Sequence, residues 1–399
     1  MKEWETRFNW VEEPCVSPDG ERIASIVNVD EMVFDICENG QVWGGEHEKA
    51  WSLRAFPGKG FAVCVCQDEE WSLVVNAKAW DNWFDFIWNL QVSPDGSGLG
   101  VAVQKDMEYG MAVNDRVWEN RFENITGMVL GRAGASAAVV QVASMAAADI
   151  SAFEAGLYSV ALDGRAFEGR YLNIWDISFD PGSESLAWSA RLTREAYTIV
   201  HNDIPWENRF QAAWKPEFTH RGASVVAPVR QGGKWNLFKD DKPFWKGGYD
   251  QLWHLAVSPV QDRVAAVAAG PYGRWTGVED DRPWPVFFDT MIRDITYSRD
   301  GSALVAVVKD QGTWTLARNG EVWNLKADKI FTPAISPDGS VVAVTIEKDG
   351  QAFVAANNRI IAGPYTFFAD PVISPDNTKL LVKGIENGIY KRSIIPLTR

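Results

Sequence analysis

The chain has 399 residues, of which 46% are hydrophobic, and it carries a formal net charge of −14. Such a chain can bury a large core, and its acidity argues against partners such as nucleic acid or anionic lipid surfaces. No apolar run reaches the roughly 18 residues that a membrane span needs. The sequence therefore predicts no direct membrane span. Its 20 tryptophans are several times the ordinary number for a chain of this length.

The amino-terminal segment, MKEWETRFNWVEEP, lacks the apolar stretch of a secretory signal peptide. The four cysteines, Cys15, Cys37, Cys64 and Cys66, all lie in the first sixth of the chain. A secreted protein of this size would spread its cysteines in a disulfide framework. We therefore expect a cytoplasmic protein with reduced thiols.

The segment Trp314–Trp323, WTLARNGEVW, is typical of a tight β-hairpin. Asn319 and Gly320 suit a two-residue turn because both turn residues must accept a positive φ. Pairing outward from this turn places Trp323 opposite Leu316, and we expect Trp314, Leu316 and Trp323 to share a buried face.

This hairpin recurs with a period near 40 residues, which indicates a repeat architecture. The pattern is an aromatic residue, Asn or Asp five positions later, and Trp or Phe nine positions later. Eight copies open at Phe34, Trp71, Tyr109, Tyr158, Tyr197, Trp235, Trp275 and Trp314. A ninth copy, Phe353/Asn358, has Ala362 at the third position, and Tyr390 opens a truncated tenth.

Each repeat also has a turn of the type Ser-Pro-Asp-Gly followed by an apolar run, as at Ser17–Gly20, Ser93–Gly96 and Ser336–Gly339. One repeat is thus strand A before this turn, apolar strand B, strand C opened by the aromatic residue, and strand D. Four short antiparallel strands per period predict the blade of an all-β propeller. The one interval of 49 residues contains an insertion with helical periodicity at Ser144–Ala155.

The segment Trp4–Phe8 matches the strand D segments Trp118–Phe122 and Trp206–Phe210. We therefore expect an amino-terminal strand D that closes the last blade of a single ten-bladed propeller over residues 1–399. The alternative is two five-bladed propellers, residues 1–203 and 204–399, because each half begins with strand D and holds five repeats.

The Ser-Pro-Asp-Gly turns and apolar strands resemble TolB-like, WD-type propeller repeats over essentially the whole chain. The Trp-rich hairpins, the acidic balance and the missing signal peptide also resemble the tryptophan-rich subunit family, TmcD, of the transmembrane Tmc redox complex of sulfate-reducing bacteria. That resemblance implies a cofactor-free accessory subunit at the cytoplasmic face of the inner membrane. Iron–sulfur and cytochrome subunits would be its partners.

Motifs for catalysis or metal binding are missing from the sequence. There is no G-x-S-x-G elbow, dinucleotide fingerprint or haem-attachment motif, so we expect no enzyme and no cofactor. Cys64 and Cys66 would share one face of strand B, a spacing that favours burial over metal binding, although Cys15 and Cys37 could approach Cys64. The four histidines are isolated in sequence, so no metal site is expected.

Aromatic residues outside the hairpin pattern are the candidate partner-binding residues. Several lie five residues before the A–B turn, at the expected start of strand A: Trp51, Trp88, Trp214, Trp253 and Phe331. The densest cluster is Trp80, Trp83, Phe84, Phe86 and Trp88. These rings would either pack between blade tops or form an aromatic docking face.

Two functions follow from these patterns. The first is a non-catalytic scaffold of a membrane-associated electron-transfer complex, whose acidic, Trp-rich faces dock redox subunits. The alternative is a propeller that binds a small molecule or a glycan in its central channel.

Overall fold

A computed structural model describes residues 2–58, 60–144, 150–222 and 224–397. The chain is all-β, and its antiparallel sheets are the ten blades of a propeller fold, with almost no helix. Nine sheets follow the order A-B-C-D, with strand A split in two in blades 6 and 9; blade 10 has three strands. The predicted fold class is confirmed.

The strands of blades 1–5, in the order A to D, are Trp10–Val16, Ile23–Asp30, Val33–Glu38 and Gln41–Val42; Lys49–Phe56, Gly60–Gln67, Glu70–Val75 and Lys78–Ala79; Phe86–Val92, Leu99–Lys105, Glu108–Val113 and Arg116–Val117; Ile125–Leu130, Ser136–Gln141, Tyr158–Leu162 and Arg165–Ala166; Asn173–Phe179, Leu186–Arg191, Tyr197–His201 and Ile204–Pro205.

The strands of blades 6–10 are Ala212–Ala213 with Glu217–Phe218, Val225–Gln231, Lys234–Lys239 and Lys242–Pro243; Gln251–Val257, Val264–Ala269, Trp275–Glu279 and Arg282–Pro283; Met291–Tyr297, Leu304–Asp310, Thr313–Arg318 and Glu321–Val322; Lys329–Ile330 with Ala334–Ile335, Val342–Lys348, Gln351–Ala356 and Arg359–Tyr365; Phe367–Ile373, Lys379–Glu386 and Ile389–Pro396.

The chain divides into two compact units. The first comprises Met1–Ile125, Leu130–Ser136 and Ala362–Arg399, and the second comprises Thr126–Val129 and Ala137–Ile361. The boundary at 203/204 of the alternative prediction lies inside the second unit. A single ring and two rings of five blades both stay predictions.

The C–D turns form as the sequence predicts. Asn319 and Gly320 have φ values of 50° and 83°, so both lie in the left-handed region that this turn requires. The Trp323 N–H donates to the Leu316 carbonyl at 2.8 Å, which confirms the predicted pairing. The Asn319 side chain also accepts the Leu304 N–H at 2.7 Å, and this bond ties the turn to the start of strand B.

The ninth copy of the hairpin lies one residue earlier than the sequence pattern suggests. Its turn is Asn357-Asn358, and it is Asn357 that accepts the N–H of Val342 at the start of strand B. Ala352 therefore occupies the place of the opening aromatic residue, and Phe353 points to the opposite face of strand C. The sequence match at Phe353/Asn358 is wrong because two consecutive asparagines make the register ambiguous.

Each Ser-Pro-Asp-Gly turn is closed by its own side chains. The Ser336 hydroxyl donates to Asp338 at 2.7 Å and accepts the Val341 N–H at 2.9 Å. Gly339 has a φ of 65°, and a Cβ there would lie 2.4 Å from the Ala303 side chain, so the turn requires glycine on both counts.

Strand B is the buried centre of each blade. In blade 8 the residues from Val305 to Val308 are at most 1% exposed, although they alternate between the two faces of the sheet. Burial on both faces explains why strand B reads as a continuous apolar run.

The second residue of five C–D turns joins its blade to the preceding one. Asp115 accepts the N–H groups of Asp81 and Asn82, which follow strand D of blade 2. The same interblade bond is made by Asp203, Asp241, Asp281 and Asn358. Where the second turn residue is Gly or Ala, as at Ala77, the side chain has no acceptor to offer.

The amino-terminal segment forms a helix, Lys2–Arg7, so the predicted strand D at Trp4–Phe8 is wrong. Glu3 and Glu5 at its start and Arg7 at its end favour a helix, because they complement the helix dipole. The helix still reaches the last blade, since the Lys2 N–H donates to the Gly388 carbonyl at 3.1 Å.

A second helix, Ile150–Glu154, lies in the insertion for which the sequence indicated helical periodicity. Residues 145–149 of that prediction lie outside the described residues. Among the helices that the structure describes, none is long and apolar enough to cross a membrane.

Candidate binding sites on the first strands of the blades

Strand A carries a β-bulge in most blades, and the bulge sets the direction of polar side chains. The first bulge residue has a positive φ at Ser52, Asn89, Asp176 and His254, with values from 53° to 59°. A bulge redirects side chains and often lies beside a binding site. Left-handed backbone at residues other than glycine is also concentrated at functional sites.

The residue before the bulge packs on the aromatic residue that opens strand C of the same blade. Trp214 stacks on Trp235 with ring centroids 5.3 Å apart, and Trp253 stacks on Trp275 at 4.9 Å. In blade 8 the guanidinium of Arg293, which lies in the bulge itself, packs on the ring of Trp314 instead. Offset aromatic pairs of this kind contribute about 0.5–1.5 kcal/mol beyond their buried area.

The five aromatic residues that we expected at the start of strand A lie in its interior instead. Trp51, Trp88 and Trp253 are the last residues paired with strand B before the bulge. Trp214 and Phe331 lie at the corresponding places where strand A is interrupted. The expectation that these rings lie at the start of the strand is therefore wrong, because strand A begins two or more residues earlier.

Aromatic residues of blades 2 and 3 form a continuous row that we call the aromatic strip. Neighbouring rings have centroids 5.5–6.0 Å apart. The members of the strip are Trp51, Trp71, Phe86, Trp88 and Tyr109. Phe86 is the most exposed of them, at 37%. Carboxylates border the strip, because Glu70 and Asp85 immediately precede Trp71 and Phe86 in the chain. Lys105 binds Glu70 and lies 3.7 Å from Asp85.

The remaining members of the predicted cluster have other environments. Phe84 is 2% exposed and belongs to the core of blades 2 and 3. Trp83 is half-buried against the core of blades 1 and 2. Trp80 lines a smaller groove of about 400 Å³, together with Asn76 and Ser97.

A larger groove of about 660 Å³ is lined by strand A residues of blades 5–8, and we call it the A-strand groove. Trp214 and Trp253 form its aromatic walls. Its charged residues are Asp176, Lys215, Glu217, His254 and Asp294. Most of these occupy the bulge or the equivalent interruption of strand A, so a single position of the repeat supplies them.

The charges of the A-strand groove are partly paired. Lys215 Nζ lies 2.7 Å from Glu217, and His254 Nε2 donates to Asp294 at 2.9 Å. The bond from His254 lowers the pKa of the Asp294 carboxyl. Partial desolvation in the groove raises the pKa of the Asp176 carboxyl, although the residue as a whole is exposed, and the nearby Lys215 opposes this increase.

Sequence reasoning missed several residues of this groove that its own spacing could have found. Trp175, which does not itself line the groove, lies five residues before Asp180 in the A–B turn of blade 5 and stacks on Tyr197 at 5.9 Å. The residue after each such position is Asp176, Lys215 or His254 in blades 5–7. A search for polar residues in phase with the repeat would have identified them.

Cys64 and Cys66 are buried as predicted, at 0% and 3% exposed; Cys37 is also buried, and Cys15 is half-buried. Burial raises the pKa of Cys64 to about 12. All four cysteines are free thiols. Within the described residues, no group of three or more His, Cys, Asp or Glu side chains is placed to hold a metal ion.

No family model and no curated protein matches this chain. Among solved structures, it is similar to puromycin hydrolase at 12% identity and a TM-score of 0.37, covering 84% of this chain and 58% of that one. It is also similar to the Dos1 propeller at 13% identity and a TM-score of 0.38, covering 95% and 91% of the two chains. This chain thus spans less than two thirds of the length of the puromycin hydrolase.

We expected from the missing motifs that the chain is not an enzyme. This exclusion is wrong, because a hydrolase is among the structures similar to the chain. The absence of known catalytic motifs therefore does not rule out catalysis on this fold. A similarity at this level assigns no activity to the chain.

Proposed function

We propose that this protein is a ligand-binding propeller whose site is the A-strand groove of blades 5–8. The observation that supports this function is a concave space of about 660 Å³ with two tryptophan walls and several charged side chains. Ligand sites are concave, mostly apolar and equipped with a few polar groups that orient the ligand. The bulges of strand A bring such polar groups into the groove.

A thermal-shift screen of a chemically diverse metabolite library tests this function. Trp253→Leu removes one wall of the groove, and we expect it to weaken binding of the screened ligands at least about tenfold. Trp88→Leu is the matched control, because Trp88 occupies the same position of strand A in blade 3, outside the groove. Ligands that bind both variants equally well, or a screen without ligands, would contradict the proposal.

The aromatic strip supports a second candidate function, the docking of partner proteins. Exposed Phe86 among stacked tryptophans is the kind of residue that anchors an interface. The surrounding carboxylates favour a partner with a basic surface. By the resemblance to TmcD, the partners would be iron–sulfur and cytochrome subunits of a membrane redox complex.

An affinity pull-down from native membranes in mild detergent tests the docking function. We expect stoichiometric redox subunits with visible absorbance for the wild-type chain, and their loss for Phe86→Asp. Phe287→Asp is the control, since Phe287 is also 37% exposed but lies in blade 7. A colourless eluate, or equal recovery with both variants, would disprove this function.

A further inference from the structure

We infer that the ligand of the A-strand groove is an organic cation, a protonated or quaternary amine held between Trp214, Trp253 and the carboxylate of Asp176. This inference rests on the proposed function, because it assigns a chemical class to the ligand of the same groove. It follows from the available faces of the tryptophans and from the pairing of each charge around them.

The tryptophans are placed to offer ring surface to the groove. One face of Trp253 is covered by Trp275 in a nearly parallel stack with an interplanar angle of 11°. Trp214 is stacked in the same way on Trp235, at 8°, and is still 40% exposed. A rigid tryptophan face attracts a cation through its quadrupole, more strongly than any other side-chain ring.

The carboxylates determine the sign of the ligand's charge. The groove has three of them, Asp176, Glu217 and Asp294, against one lysine. Lys215 is held by Glu217, and His254 by Asp294. The groove's lysine is thus already neutralised by its own partner, which disfavours an anionic ligand.

Asp176 is the carboxylate available to a ligand. It forms no hydrogen bond or ion pair with any residue that the structure describes, and its side chain starts from a left-handed backbone with a φ of 53°. Asp176 is an exposed residue that lines the groove, and Lys215, whose charge acts on it, is already held by Glu217. A bound ammonium group would supply the partner that Asp176 lacks.

Isothermal titration calorimetry on the full chain tests the inference with tetramethylammonium, choline and benzyltrimethylammonium. The neutral control is 3,3-dimethyl-1-butanol, which has the shape of choline without its charge, and the sugar control is cellobiose. We expect at least one ammonium ion to bind with a Kd below about 10 mM and the neutral alcohol to bind at least about tenfold more weakly.

Asp176→Asn is the decisive variant, because Asn accepts a positive φ and keeps the size of the side chain. It should weaken binding of the ammonium ion at least about tenfold, whereas Asp30→Asn, at an exposed position of blade 1 outside both candidate sites, should leave it unchanged. Circular dichroism and the Tm of each variant show that it is folded.

Two results would overturn the inference. If no ammonium ion binds, or if Asp176→Asn and Asp30→Asn behave alike, the ligand is not recognised as a cation. If the neutral alcohol or cellobiose binds as well as choline and Trp253→Leu weakens that binding, the cation assignment fails while the proposed function of the groove stands.

Discussion

At the scale of single residues, the two central residues of the C–D turn form hydrogen bonds with different parts of the molecule. The first residue, as Asn319, binds the start of its own strand B, and the second, as Asp115, binds the preceding blade. Both positions have a positive φ, which explains the preference for Asn, Asp and Gly. Ala77 is the exception, with a φ of 64° and no acceptor.

We predict that Ala77→Asp stabilises the protein by about 1 kcal/mol, because Asp tolerates the left-handed backbone better than Ala does. The new carboxylate would also come within reach of the segment after Trp43, as Asp115 does for the segment after Trp80. Urea unfolding followed by tryptophan fluorescence measures the change in the free energy of unfolding.

Ala77→Gly is the control for that prediction, since glycine relieves the backbone conformation without adding an acceptor. If Ala77→Asp is no more stable than Ala77→Gly, the interblade bond contributes nothing at this position.

At the scale of elements, the A–B turns make the fold sensitive to acid. Hydrogen bonds from Ser374 and from the backbone and side chain of Thr378 lower the pKa of Asp376 to about 2. The pKa values of Asp19 and Asp300 are lowered in the same way by the serines and backbone N–H groups of their turns, and that of Asp95 is lowered by the backbone N–H of Ala133 and by the serines of its own turn. Each turn thus favours the ionised carboxylate in the folded state.

We predict that Asp376→Asn weakens the dependence of stability on pH below pH 4. The folded pKa of Asp376 lies below its ordinary value near 3.8, so its contribution is complete above about pH 4 and is lost as the pH falls toward 2. The amide cannot titrate, and the variant should start less stable at pH 7 and lose less on acidification. Urea midpoints measured from pH 7 to pH 2.5 test this, and parallel curves for the two proteins would refute it.

Elements set by local chemistry could be predicted from the sequence, and elements set by their neighbours could not. The hairpin at Asn319-Gly320 needs only two residues that accept a positive φ, so its pattern is sufficient. The segment Trp4–Phe8 resembles Trp118–Phe122, but a likeness over five residues does not fix the partner of a segment, and this one forms a helix instead. The bulges at Asp176 and His254 have no fixed residue type, so only their phase within the repeat could reveal the groove.

At the scale of the molecule, the two ends of the chain meet within the first unit. Trp4 is 7% exposed and packs in one core cluster with Val16 and Cys37 of blade 1 and Ile385 of blade 10. Side chains of blade 10 also donate to backbone carbonyls of the first A–B turn, as Tyr390 does to Gly20 at 2.8 Å. Helix and side chains together take the place of the expected closing strand.

We predict that Trp4→Ala lowers the free energy of unfolding by about 3 kcal/mol, because it empties a buried site shared by the first and last blades. Trp10→Ala is the matched control: Trp10 is 54% exposed, and its loss should cost less than about 1 kcal/mol. Urea unfolding compares the two variants, and equal losses would mean that the helix does not hold the ends together.

The interblade bond of the C–D turn has a consequence for how such a chain can lengthen. A copied segment of one period contains the acceptor that binds the blade before it, such as Asp241. It also contains the N–H groups that bind the acceptor of the blade after it, such as those of Lys246 and Gly247. A tandem duplication of one repeat would therefore insert a new blade with both of its junctions already satisfied. Repeat number in this architecture can change by whole periods without the evolution of a new interface.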